Sequence, residues 1–134
     1  MKYALDTSVV IRLLVGDPLD LAEIALEKIR ILNESGCYLW VSDLVVSEAY
    51  FALQHHYKIS KLEALKALRV FLEAGTILSS GHAAVVLAKG NLASSKPGFV
   101  DLLIHSAAIE AQSQLLTCEK SAGKLADVVV LSVK

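Results

Sequence analysis

Short β-rich runs alternate with longer helical patterns along the chain, and this alternation restricts the fold more than any other feature. Four apolar or β-branched runs, each bounded by polar or glycine residues, are predicted strands: residues 2–5, 37–41, 114–117 and 128–133. Residues 19–35 and 61–75 place apolar side chains near helical spacing, and Gly75 is a natural helix stop. Strands that alternate with helices predict an α/β fold with a mostly parallel central sheet covered on both faces.

Length and composition fit one soluble globular domain. The chain has 134 residues, 54% of them hydrophobic and 20% charged, which is enough to bury a core and unlike a disordered protein. The net charge of −1 provides no overall basic field, so any contact with nucleic acid must be local. We expect part of this large apolar fraction to lie on a surface that a partner covers.

Cysteine usage and the absence of targeting signals favour the cytoplasm. Cys37 and Cys118 have no metal-ligand spacing and are too few for a disulfide framework, which favours a reducing compartment. Asp6 interrupts any signal-peptide core, and no apolar run approaches the ~20 residues that span a bilayer. We therefore expect no membrane association.

Two acidic residues follow predicted strands at the edge of the sheet where ligands gather. In parallel α/β sheets this edge lies outside the carboxyl ends of the strands. Asp6 follows the first strand there, and Glu119 follows residues 114–117. Asp127 precedes the last strand, at the opposite edge, and is excluded.

Two further acids interrupt apolar helical patterns. Glu48 has apolar residues three and four positions away on both sides, where a solvated glutamate normally has polar neighbours. Asp101 stands between Val100 and Leu102, near the start of a helix that we expect to be largely buried. Both carboxylates are expected to point toward the core.

Each acid taken alone has a structural explanation. Asp6 suits the N-cap of a helix that begins near Ser8, Asp101 suits the positive end of a helix dipole, and a loop residue such as Glu119 is ordinarily solvated. Glu48, inside a helix, needs a cation or a strong hydrogen-bond donor. Because few lysines or arginines stand beside these acids, an external cation is the economical partner for the four together.

Four segments, taken in order, resemble the PIN-domain ribonucleases. They are "ALDTSVVIRLL", "VSDLVVSEAYFAL", "GFVDLLIHSAA" and "LLTCEK". The chain is similar to a VapC-type toxin of a prokaryotic toxin–antitoxin pair over essentially its whole length. The resemblance implies one PIN-like domain over residues 1–134, built as a three-layer α/β/α sandwich with a mostly parallel central sheet. It also implies that acids hold Mg²⁺ or Mn²⁺ and that the enzyme hydrolyses RNA.

The family's acidic positions fall on Asp6, Glu48, Asp101 and Glu119, which the resemblance makes the catalytic and metal-binding residues. The family usually has aspartate at the last position, whereas this chain has glutamate. Carboxylate oxygens suit hard divalent cations, which activate water for attack on phosphorus, so no side-chain nucleophile is needed. Hydroxyls are available beside the acids at Ser8 and Thr117, either to bond a carboxylate or phosphate or to form caps and turns.

Partners also follow from the resemblance. It implies a homodimer and a small antitoxin that inserts a basic residue among the carboxylates, which relieves like-charge repulsion without a metal. The helices predicted at residues 19–35 and 60–74 offer faces for self-association.

A mechanism based on histidine is not supported by the sequence. His55 and His56 lie together at the end of the helix that carries Glu48, where the helix dipole favours a cation. His105 lies one turn beyond Asp101 and is within range of the site, and His82 begins a helix. No Ser-His-Asp arrangement is evident.

Two other functions remain open at the level of sequence. In one, Asp6 is the nucleophile of an aspartyl-phosphate phosphotransferase. Those enzymes place a second acid where this chain has Ser8. In the other, the chain is a non-catalytic or degenerate interaction module whose acids bind a cation without turnover. Metal-dependent RNA cleavage separates the nuclease from both.

Overall fold

The strands form two parallel ladders in the computed structural model, which describes residues 1–133. The first is a three-stranded sheet in the order β1 (Lys2–Ala4), β2 (Tyr38–Val41) and β3 (Leu78–Ser79). The second pairs β4 (Leu115–Thr117) with β5 (Val128–Val130). The predicted α/β class and the parallel pairing are confirmed. Hydrogen bonds divide the strands between these two ladders.

Six α-helices connect and cover these strands. Their bounds are α1 (Thr7–Val15), α2 (Leu19–Glu34), α3 (Asp43–His55), α4 (Lys61–Glu73), α5 (Ala83–Leu87) and α6 (Phe99–Glu110). Two short 3₁₀ turns follow at Leu92–Ser94 and Lys120–Lys124. The helices predicted at 19–35 and 61–75 are therefore confirmed to within one or two residues.

Local sequence explains where the helices begin and end. The Ser42 hydroxyl accepts a hydrogen bond from the Val45 amide at 3.2 Å, and the Ser60 hydroxyl does the same for Glu63 at 3.2 Å. These side chains satisfy amides that have no partner inside the helix. Gly75 has a φ of 81°, so the chain leaves α4 through a left-handed conformation that glycine adopts without strain.

The core gathers buried side chains from the first sheet and from helices α1, α3, α4, α5 and α6. Leu39 and Val41 of β2 are fully buried, as is Phe99 at the start of α6. Each large apolar side chain buried in this way contributes about 1.5–3 kcal/mol. The core therefore fixes α3 and α6, which carry Glu48 and Asp101, to the sheet.

Helix α2 buries less of its surface than α3 or α4. Ala22 is its one buried residue, Ile29 and Leu32 are partly buried against the core, and Leu21, Ile24 and Leu26 are exposed. Most of the apolar residues whose spacing predicted this helix thus form a surface that no other part of the described chain covers. Among the helices within residues 1–133, none has the length and apolar character needed to cross a bilayer.

Candidate functional site

Asp6 lies where β1 gives way to α1, at the carboxyl end of the strand. Its Oδ1 accepts a hydrogen bond from the Thr7 amide at 2.7 Å, and the Ser8 hydroxyl donates to its Oδ2 at 3.4 Å. Asp6 is therefore the N-cap of α1, as one of the two interpretations predicted. Because the carboxylate is exposed, the cap does not exclude a bound cation.

Thr7 connects Asp6 to Glu48. While its amide donates to Asp6, its hydroxyl donates to Glu48 Oε1 at 2.9 Å, across 41 positions of sequence. Thr7 thus hydrogen-bonds both the carboxylate that caps α1 and a carboxylate of α3, which brings the two acids close together. Ser8 was the predicted supporting hydroxyl, and Thr7 was not predicted, although it directly follows Asp6.

The expectation that Glu48 and Asp101 point toward the core is wrong. Both residues are exposed. Helix α3 buries the face formed by Val46, Ala49, Tyr50 and Leu53. Leu44 and Phe51, the apolar neighbours that made Glu48 conspicuous, are themselves 71% and 45% exposed. Helix α3 has apolar residues on all sides, so spacing alone did not identify its buried face.

Asp101 lies in the first turn of α6, where it complements the helix dipole. This turn is held beside the middle of α3 because Tyr50 packs edge-on against Phe99, with ring centroids 5.1 Å apart. Ile104, one turn further along, is 51% exposed, so α6 is less buried than predicted. Asp101 therefore stands on the exposed side of a helix whose other side is anchored to α3.

Glu119 is engaged within its own loop. Its Oε1 accepts hydrogen bonds from the Ser121 hydroxyl at 3.0 Å and the Ser121 amide at 3.3 Å, which caps the Lys120–Lys124 turn. The Thr117 hydroxyl accepts from the Glu119 amide at 3.0 Å, so Thr117 acts here in turn formation. Of the four predicted site acids, the hydrogen bonds connect Asp6 with Glu48, whereas Glu119 makes contacts of its own.

None of the four acids is neutralised by a basic side chain within residues 1–133. The ion pairs there join Arg30 to Glu27 and Glu34, Arg69 to Glu73, and His82 to Glu110. The Arg30 guanidinium lowers the pKa of Glu27, mainly through its hydrogen bond. The site acids are thus available as ligands, and their all-oxygen donor set is the chemistry that Mg²⁺ prefers. No three His, Cys, Asp or Glu side chains of the described chain form a preassembled metal cage.

The structure leaves His55 and His56 exposed and gives His82 and His105 partners outside the four acids. His55 and His56 are exposed at the end of α3, as expected. His105 is bound by Nε2 to the Ala126 carbonyl oxygen at 2.7 Å, so this ring nitrogen ties α6 to the loop before β5. His82 precedes α5 and pairs with Glu110 at the end of α6.

Asp43 is an acid at the same edge of the sheet that the sequence analysis missed. It follows β2, and its carboxylate accepts from the His82 amide at 2.9 and 3.0 Å and from the Ala83 amide at 2.9 Å. A Cβ atom at Gly81 would lie 2.5 Å from its Oδ2, so only glycine fits against it. Because backbone amides occupy its oxygens, Asp43 has a structural role, in contrast to Asp6.

We expect Asp43→Ala to destabilise the fold. The substitution leaves the amides of His82 and Ala83 without their acceptor, and loss of such a cap costs about 1–2 kcal/mol. Urea unfolding should show a lower midpoint with an unchanged slope. Asp20→Ala is the matched control, because Asp20 accepts the Leu21 amide at 2.8 Å within an exposed first turn. An equal effect at both positions would contradict the special role of Asp43.

An apolar groove lies between α1 and α2. Its volume is about 490 Å³, and Ser8, whose hydroxyl donates to Asp6, forms part of its wall. Most of the remaining lining is apolar, including Val9, Leu21 and Ile24, and two basic side chains, Arg12 and Lys28, also line it. The groove thus combines apolar walls with positive charge, and its wall residue Ser8 contacts the Asp6 carboxylate.

Comparison with known proteins identifies the family. No curated protein and no solved structure gives a significant match to the chain. The family model of the PIN domain matches residues 3–128, which include all four acids and nearly every element of the fold. PIN domains are generally nucleases that use divalent metal ions. The match covers almost the whole chain, and the chain therefore belongs to the PIN-domain family.

Proposed function

We propose that this protein is a metal-dependent endoribonuclease that acts as the toxin of a VapBC-type toxin–antitoxin pair. The proposal rests on Thr7, whose amide donates to Asp6 at 2.7 Å and whose hydroxyl donates to Glu48 at 2.9 Å. Two unneutralised carboxylates held at the carboxyl ends of parallel strands suit a divalent cation and a phosphodiester. Nothing in the fold favours a phosphotransferase or a non-catalytic module.

The proposed ligands of Mg²⁺ or Mn²⁺ are Asp6, Glu48, Asp101 and Glu119. A divalent ion bound there supplies an activated water and neutralises charge during phosphodiester hydrolysis. Asp6 and Glu48 offer oxygen ligands whose orientation Thr7 and Ser8 fix. Asp101 offers a third carboxylate from α6. Glu119 has an extra rotatable bond compared with aspartate, which raises the entropy lost in ligation, so we assign it to a weaker role through water.

The direct test is cleavage of single-stranded RNA by the purified protein. We expect cleavage with Mg²⁺ or Mn²⁺ and none after chelation with EDTA. Cleavage that persists in EDTA would contradict metal-dependent hydrolysis. Trapping of a phosphoryl group on Asp6 would favour the phosphotransferase instead.

Addition of Mg²⁺ or Mn²⁺ should raise the melting temperature. A ligand that binds only the folded state stabilises it by mass action, by about 1.4 kcal/mol at roughly ten times its dissociation constant. Differential scanning calorimetry would measure the shift. The shift should shrink in Asp6→Asn and persist in Asp20→Asn, which alters a similar exposed aspartate at a helix start. A full shift in Asp6→Asn would remove Asp6 from the ligand set.

The groove between α1 and α2 supports an antitoxin as partner. A peptide that lies along its apolar walls reaches Ser8 and, through it, Asp6. A basic side chain of that peptide placed among Asp6 and Glu48 would relieve their repulsion in place of the metal. Titration with the product of a neighbouring short reading frame should inhibit cleavage.

A homodimer in the cytoplasm completes the proposal. Leu62 and Val70 of α4 are exposed, as are several apolar residues of α2, and these faces suit self-association. Two unpaired cysteines, Cys37 and Cys118, suit a reducing compartment. Light scattering would give the oligomeric state.

A further inference from the structure

An exposed stripe along α3 carries an aromatic residue next to Glu48. Leu44, Glu48, Phe51 and His55 follow one another at spacings of four, three and four residues, which places them on one face of the helix. All four are exposed, whereas the opposite face of α3 is buried. Phe51 is thus a surface phenylalanine one helical turn from a proposed metal ligand.

The Phe51 ring has aromatic neighbours on its own helix. It packs against Tyr50 with ring centroids 5.2 Å apart, and buried Tyr50 packs in turn against Phe99 at 5.1 Å. The His55 ring lies 6.2 Å from the Phe51 ring and is tilted from it by 21°, so the two rings are nearly parallel. Phe51 therefore lies beside two aromatic neighbours while 45% of the residue is exposed.

We propose that Phe51, flanked by His55, is a stacking site for an unpaired base of the RNA substrate. Any base stacks on an aromatic face, and such faces beside a backbone-binding site are typical of proteins that bind single strands. The bases of a duplex are already stacked on one another, so this site selects single-stranded RNA. The inference rests on the proposed ribonuclease function and adds a residue that recognises the substrate.

The position of Glu48 disfavours a protein partner on the stripe. Glu48 stands in its middle, and an apolar protein surface laid over it would bury a carboxylate without compensation, which is costly. An RNA strand leaves that carboxylate free to serve the metal site while one base covers Phe51. A second copy of the chain is the alternative occupant, and the test below separates the two.

The experiment measures the affinity of a fluorescent single-stranded RNA for four proteins by anisotropy. Phe51→Leu removes the aromatic face and should weaken binding roughly tenfold, whereas Phe51→Tyr keeps the ring and should bind within about twofold of wild type. Val85→Ala, an exposed apolar residue of α5 outside the stripe, should bind as wild type does. Phe51 is half-exposed, so its variants should fold, and circular dichroism checks this.

A matched series of RNAs carries one abasic nucleotide at successive positions. One position should weaken binding to wild type by the same factor as Phe51→Leu, and the two losses should not add. Unchanged affinity of Phe51→Leu, or losses that add at every position, would overturn the proposal. A variant that dissociates to a smaller species but keeps its RNA affinity would overturn it too and assign the stripe to self-association. Binding without cleavage would refute the nuclease alone, whereas cleavage with an unchanged KM in Phe51→Leu would refute the stacking site alone.

Discussion

Asp6→Asn should reduce RNA cleavage by more than about 100-fold, because even residues that only support a metal ligand contribute 10- to 100-fold. Asparagine caps helices as well as aspartate does, so α1 should keep its N-cap while the site loses a negative ligand. Initial rates of cleavage at saturating Mg²⁺ would measure the effect. We expect Asp101→Asn to behave in the same way and Glu48→Gln to follow it.

The comparison with Glu119 sharpens this test. Glu119→Gln should lower activity less than Asp6→Asn, and high Mn²⁺ should partly restore it, because Glu119 is bound within its own loop by Ser121. Glu119→Asp should be tolerated. Equal loss in Glu119→Gln and Asp6→Asn that Mn²⁺ cannot rescue would make Glu119 a direct ligand of the essential ion. Asp20→Asn provides the surface control, and full activity in Asp6→Asn would remove Asp6 from the mechanism.

Phe99→Ala should have the largest effect on stability, a loss of about 3–5 kcal/mol in the free energy of unfolding. Phe99 is 1% exposed and packs against Tyr50, so its removal leaves a cavity between α3 and α6. Urea unfolding would measure the loss. The same substitution at exposed Phe51 is the control and should cost much less. Similar losses at both positions would contradict the placement of Phe99 in the core.

Helices with a clear period and a capping residue could be predicted from the sequence. The bounds of α2 and α4 follow from their apolar spacing, and Ser60 and Gly75 delimit α4. Strand β3 has two residues, which is too short for any period to emerge, and it was therefore missed. Helix α5 has only five residues, and the sequence indicated no more of it than its start at His82.

The place of Asp6 at the end of β1 was predictable, but the environment of the four acids was not. Resemblance and strand position both indicated Asp6, which the structure places beside Glu48 through Thr7. Exposure could not be inferred for Glu48, because apolar residues that face water look the same in sequence as those that face a core. The Asp43 carboxylate accepts hydrogen bonds from backbone amides 39 and 40 residues away, and no sequence pattern indicates such contacts.

Helix α2 has one buried residue, Ala22, whereas α3 has four. The backbone amides of α2 should therefore exchange with solvent before those of β2 and α3. Residues of α2 line the groove beside Ser8, so opening of this helix would widen the groove. A peptide bound there would cover exposed apolar residues of α2. It should slow amide exchange along residues 19–34 and leave amide exchange in the sheet unchanged.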